Sequence, residues 1–149
     1  MSLHGDYDPD NIFAKILRGE IPCAKVYEDD ICLSFMDAFP QSNGHTLVIP
    51  KAVTARNFLE LPTDMIGPYM QRVQMIAKGV TKALSPDGVI ITQFNGSAAG
   101  QTVFHLHFHI IPRQSGESLG FHAAGEMADM TELKALAERC CDGKLVFVH

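Results

Sequence analysis

Residues Phe104 to Arg113 read FHLHFHIIPR, which sets His105, His107 and His109 at every second position of an otherwise apolar run. Successive side chains on a strand point to opposite faces. Three imidazoles would therefore share one face, about 6 to 7 Å apart, while Leu106, Phe108 and Ile110 enter a core from the other. Imidazole titrates near neutral pH, so it can serve there as nucleophile, acid, base or metal ligand. Just upstream lies a glycine-rich loop, Asn95 to Gln101 (NGSAAGQ). Such a loop can aim successive main-chain amides at an anion, although a hairpin turn uses the same glycines. A fourth histidine, His45, opens an earlier strand-like run, and Asp37 closes the one before it. On residue type alone, His45 could be structural and Asp37 a turn-forming acid.

The surrounding pattern supplies the elements that would carry these groups. Asp8 is suited to cap a short helix, with Pro9 in its first turn, an apolar face at Ile12, Phe13, Ile16 and Leu17, and Gly19 to end it. Strands are expected around Lys25 to Glu28, Ile31 to Met36 and His45 to Pro50, as an antiparallel meander. Thr63 to Leu84 carries Ile66, Tyr69, Met70, Val73, Ile76, Ala77, Val80 and Leu84 at helical spacing, with Pro68 near its start. A fourth strand follows at Val89 to Phe94, then the histidine strand at Val103 to Ile111. The tail reads as loop to about Gly125, a helix around Thr131 to Arg139, and a short apolar end at Leu145 to Val148.

Composition narrows the classes. A chain of 149 residues, 46% hydrophobic, can bury a core as one domain without disulfides. The net charge of -5 and the lack of Lys/Arg clusters argue against a nucleic-acid polymer as partner. No apolar run reaches the roughly 20 residues that span a membrane, and the acidic start does not read as a secretory signal. Cys23, Cys32, Cys140 and Cys141 lack metal-binding or redox spacing, which fits reduced thiols in a cytoplasm.

The His-x-His-x-His motif with apolar residues between, preceded by the AGQ loop, resembles the defining mark of the histidine triad (HIT) family of nucleotide hydrolases and transferases. The blocks NIFAKILRGEI (Asn11 to Ile21), CLSFMD (Cys32 to Asp37), GHTLVIPK (Gly44 to Lys51) and Asn95 to Arg113 resemble the family's blocks in order. The resemblance covers roughly residues 8 to 113, with 114 to 149 as a tail, and is strongest to the Hint branch and its bacterial relatives. It implies an α+β fold: an antiparallel sheet of about five strands, a long helix, a short N-terminal helix and a helical tail.

The resemblance also implies a mechanism. The middle histidine, His107, attacks the α-phosphate of a nucleotide and forms a nucleotidyl-histidine that water hydrolyses. His105 and His109 orient it and meet the phosphoryl or leaving group, with His45 beside them. Main-chain amides from Asn95 through Gly100 and Gln101 to Thr102 hold the phosphate oxygens. Asp37 accepts the ribose hydroxyls, and several of Ile12, Phe13, Ile16, Ile21, Phe35 and Leu47 line the cleft for a purine. The implied substrates are AMP- or GMP-type phosphoramidates, with no cofactor and no catalytic metal.

The sequence departs from relatives in two places. Many carry Cys at the positions of Asn11 and Ala14 as half of a structural zinc site, and this chain has neither. Ala38-Phe39 stands where an Ile-Ser pair is common, which removes a hydroxyl from the ribose side. Other readings of the same residues are a dinucleoside polyphosphate hydrolase, a metal-dependent hydrolase built on the triad, and a non-catalytic nucleotide-binding dimer. A twofold homodimer is expected, with the wide apolar stripe around Met70 and Val73 as its surface.

Overall fold

The computed structural model describes residues 3–117 and 127–141. Five strands form one antiparallel sheet: β1 (Lys25–Glu28), β2 (Cys32–Met36), β3 (Thr46–Pro50), β4 (Gly88–Thr92) and β5 (Phe108–Arg113), in the order β1-β2-β3-β5-β4. With the helices α1 (Ile12–Leu17), α2 (Thr63–Leu84) and α3 (Met130–Cys141), this is the expected α+β architecture. The apolar end expected at Leu145 to Val148 lies outside the described residues.

The central strands β2 and β3 are buried throughout because both faces of the sheet are covered. On one face Cys32, Met36, Val48 and Ile110 pack with Tyr69, Val73, Ile76 and Val80 of α2. The Tyr69 hydroxyl, fully buried, donates to the Val48 carbonyl at 2.7 Å and so leaves no unpaired polar atom there. On the other face Leu33, Phe35, Leu47 and Ile49 meet Phe13 of α1. One-residue alternation thus sends each strand's side chains into two separate cores.

Helix α2 has the bounds that its periodicity predicts. Pro68 is tolerated in its second turn, where the ring removes one intrahelical bond. Much of the apolar width of α2, expected to serve a second copy of the chain, is taken up within the chain. Helix α3 lies alongside it and sends Leu133, Ala137 and Cys140 into the same core. Val73 is 1% exposed and offers no such surface, while Met70 packs against that core and stays only partly exposed.

Two further expectations are corrected. Asn11, not Asp8, caps α1, its side chain accepting the Ala14 amide at 2.9 Å. Asp8 folds the preceding turn by accepting the Asp10 amide; both residues offer a side-chain oxygen on a short stem, and Asn11 stands at the right offset for the cap. The histidine strand begins at Phe108 and not at Val103. In the β3–β5 register Val48 faces Phe108, so continuing the ladder would set Pro50 against Leu106. Pro50 has no amide to donate, and Leu106 bonds to the Ala55 carbonyl at 2.8 Å. His105 and His107 therefore lie on an extended segment that leads into β5.

Candidate active site

The break in the ladder determines how the histidines are held. His109 lies within β5, opposite Leu47 on one side and Thr92 on the other. Alternation survives the break: Leu106 and Ile110 enter the α2 side, while His107 and His109 border a cleft on the α1 side. Their ring centroids are 4.9 Å apart, and Phe13 stands edge-on to His107 at 4.9 Å. The cleft encloses about 290 Å³.

Each ring's proton can be assigned from its partners. His107 Nδ1 lies 2.7 Å from the His105 carbonyl, which can only accept, so Nδ1 carries the hydrogen and the neutral ring has its lone pair at Nε2. His105 Nε2 likewise donates to the Pro50 carbonyl at 3.0 Å, which makes its Nδ1 the acceptor for the Tyr7 hydroxyl at 2.5 Å. His45 Nδ1 accepts the Gln41 amide at 3.0 Å, so its Nε2 bears the hydrogen and donates to His109 Nδ1 at 3.0 Å. His109 is thereby left with its proton on Nε2. One main-chain amide at Gln41 thus sets the tautomers of two rings in series.

Asp37 lies at the end of β2, its amide bonded to the His45 carbonyl. One carboxylate oxygen accepts the Phe39 amide at 2.8 Å, and the other is 3.4 Å from His45 Nε2. Each oxygen keeps further acceptor capacity for a hydroxyl. Asp37, His45 and His109 bring three possible ligand atoms within 4.8 Å of one another. The His45 nitrogen facing the other two carries a proton, however, and coordination there would break the Gln41 bond. This tautomer opposes a cation. Asn11 and Ala14 fit a zinc site no better: one caps α1 through its amide oxygen, and the other is a buried methyl. Burial lowers the pKa of His105 from its usual value, the Pro50 hydrogen bond opposing only in part, so this ring is neutral near pH 7.

Of the apolar residues expected to line the cleft, Ile12, Phe13, Ile16, Phe35 and Leu47 do so. Ile21 lines an adjoining cavity on the far side of Ile16 instead. Thr102 borders the cleft. Asn95 and Gln101 shape the glycine-rich loop from within. The Asn95 side chain accepts the Phe58 amide, and Gln101 accepts the Gly96 amide while donating to the Arg56 and Val103 carbonyls. Gly96 and Gly100, with φ of 89° and 107°, supply the left-handed turns that bracket residues Ser97–Ala99.

Sequence reasoning placed Phe39 on the ribose side, where it lines the cleft, but missed Tyr7, Gln41, Cys23 and Met130. Tyr7 reaches His105 across 98 positions, Gln41 acts through its backbone, and Met130 arrives on α3, so none leaves a local pattern. Cys23 lines the cleft, but burial raises its thiol pKa, which keeps it protonated and a poor rival nucleophile.

The chain matches the HIT domain over residues 18–116 and belongs to that family. It is 43% identical to Adenylylsulfatase HINT3 of Arabidopsis thaliana over 74% of this chain, and it spans 55% of that protein's length. It is 41% identical to Adenosine 5'-monophosphoramidase hnt1 of Schizosaccharomyces pombe, over 85% of this chain and 92% of that one. A crystal structure of a Hit-like protein from Bartonella henselae, described as involved in cell-cycle regulation, superposes with a TM-score of 0.87 at 46% identity. That match covers 93% of this chain and 98% of the other.

Proposed function

We propose that this chain, a hydrolase of the HIT family, cleaves purine nucleoside 5'-phosphoramidates through a nucleotidyl intermediate on His107. The observation that carries the reading is the pair of opposed tautomers. His107 offers a lone pair at Nε2, and His109, 4.9 Å away between centroids, offers a hydrogen at its own Nε2. In the first step the His107 Nε2–P bond forms as the P–N bond breaks, the nitrogen, protonated from solvent, leaves as ammonia or an amine, and the His109 Nε2–H donates a hydrogen bond to the reacting phosphoryl group. Water then attacks phosphorus and gives a proton to solvent, the P–N bond to His107 breaks, and the nucleoside monophosphate leaves. Thr102, which borders the cleft, faces the phosphate oxygens; the Gly100 and Gln101 amides, expected there from the sequence, instead donate to the Ser97 and Gly96 carbonyls at 3.0 Å and shape the loop. Asp37 receives the ribose hydroxyls, and the slot between Phe13, Ile16, Phe35 and Leu47 takes the flat purine.

Two relatives support the choice of substrate. An adenylylsulfatase and an adenosine 5'-monophosphoramidase are both named for an adenylate with a small group on its phosphate. Incubation with adenosine 5'-phosphoramidate, with and without chelator, tests the reading. AMP should appear at equal rates in both, and rapid quenching into alkaline denaturant, in which a phosphorus–imidazole bond survives, should trap protein heavier by one adenylyl group. Loss of turnover in chelator, restored by zinc, would return the site to metal-dependent hydrolysis.

The whole chain is read as a single domain in a cytoplasm, where its cysteines stay reduced. A homodimer is part of the proposal, and its surface moves from α2 to the sheet edge at β4. There Val89 and Ile91 are 37% and 46% exposed on a strand that, among the described residues, pairs on one side only.

A further inference from the structure

The carbonyl that sets the His107 tautomer belongs to His105, in a segment outside the sheet ladder. Sheet-ladder bonds therefore do not orient it; its direction depends on the Leu106 amide of the same peptide unit, held by the Ala55 carbonyl at 2.8 Å, and on what grips the His105 side chain. The ring is 1% exposed and is gripped at both nitrogens, by the Pro50 carbonyl on one side and by the Tyr7 hydroxyl on the other. The two rings also meet edge to face, with centroids 5.6 Å apart.

Tyr7 is itself tied down. The N-terminal segment that carries it is held by Asn57 Nδ2 donating to the Leu3 carbonyl at 3.0 Å and by Arg56 Nη1 donating to the Asp6 carbonyl at 3.1 Å. The same short stretch accepts the Leu106 amide at Ala55 and the Gln101 side chain at Arg56. Residues 55–57 thus anchor the N-terminal segment, the glycine-rich loop and the histidine segment together. Removing the phenolic oxygen would leave a buried imidazole nitrogen without its donor and relax the carbonyl two bonds' reach from the nucleophile.

We propose that Tyr7 is a positioning residue of the reaction, clamping His105 so that its carbonyl holds His107 with Nε2 presented to phosphorus. The proposal rests on the assignment of His107 as nucleophile. Tyr7 lies away from the cleft lining, so its loss should change the chemical step more than binding.

The test is Tyr7→Phe, which keeps the ring, beside Tyr7→Leu, which removes it. With adenosine 5'-phosphoramidate, kcat of Tyr7→Phe should fall about tenfold while KM stays within about twofold. Nitrogen-15 spectra of the substrate-free variant should show the His105 ring signals moved and His107 losing its single tautomer. A kcat equal to the unmutated protein's, a change confined to KM, or His107 ring signals that stay in place would each overturn the proposal. So would a defect seen in Tyr7→Leu alone, since that would reduce Tyr7 to packing. If the unmutated protein does not turn over the phosphoramidate, the function assigned above fails, and the ring signals still decide whether Tyr7 controls His107.

Discussion

A single hydrogen decides the role of each imidazole. Because His107 spends Nδ1 on a carbonyl, its replacement by Ala removes the nucleophile and leaves the cleft walls standing. His107→Ala should lower kcat at least about 1000-fold while AMP still binds by calorimetry, since covalent catalysis needs this group and binding mostly does not. His105 makes a second prediction, on stability. Its folded-state pKa is depressed by burial, against about 6.5 in the unfolded chain. Between these values the unfolded state binds the extra proton. The contribution of His105 is therefore fully present above about pH 6.5 and is lost as pH falls toward the folded value. Urea midpoints measured from pH 7.5 downward should begin to drop near 6.5, and the drop should be shallower in His105→Asn. Equal slopes in the two proteins would refute the assignment.

At the scale of elements, the site depends on where ladders stop. β3 ends in Pro50, which releases the histidine segment and then catches it again with its carbonyl. β3 is entered through Gly44, whose φ is +94° and whose missing Cβ would run into the Leu84 side chain at the end of α2 and stand 3.2 Å from Pro112 Cγ. Leu84 could swing aside, but the left-handed backbone could not relax without moving His45. Gly44→Ala should therefore cost about 1 to 3 kcal/mol in chemical denaturation, combining backbone strain with overpacking. It should also slow turnover by disturbing the His45–His109 bond. Full activity with unchanged stability would show that this entry to β3 is more forgiving than its geometry implies.

For the molecule as a whole, the tail is part of the cleft. Ala128 donates its amide to the Ala38 carbonyl at 2.8 Å, and Met130 reaches the lining from the first turn of α3. No helix among the described residues is long and apolar enough to cross a membrane. The exposed apolar pair on β4 is where assembly should be sought. Ile91→Glu should shift light scattering from dimer to monomer at micromolar concentration, because two carboxylates would meet across a paired edge. An unmutated protein that already scatters as a monomer would remove the dimer from the proposal.

The sequence by itself determined what repeats locally. The 22 residues of α2 obey one helical period, the meander follows from alternation and turns, and the His-x-His-x-His spacing puts like groups on one side whatever happens to the ladder. The residue types of the proposed machinery were legible for the same reason. Tertiary structure decided what depends on distant partners: that Pro50 ends the pairing, that α3 packs along part of α2, and that Ile21 lines a neighbouring cavity and not the cleft. The tautomers belong to this second group. A ring's proton is set by whichever carbonyl, hydroxyl or amide meets its nitrogens, and Tyr7, Pro50 and Gln41 reach those nitrogens only after the chain has closed on itself.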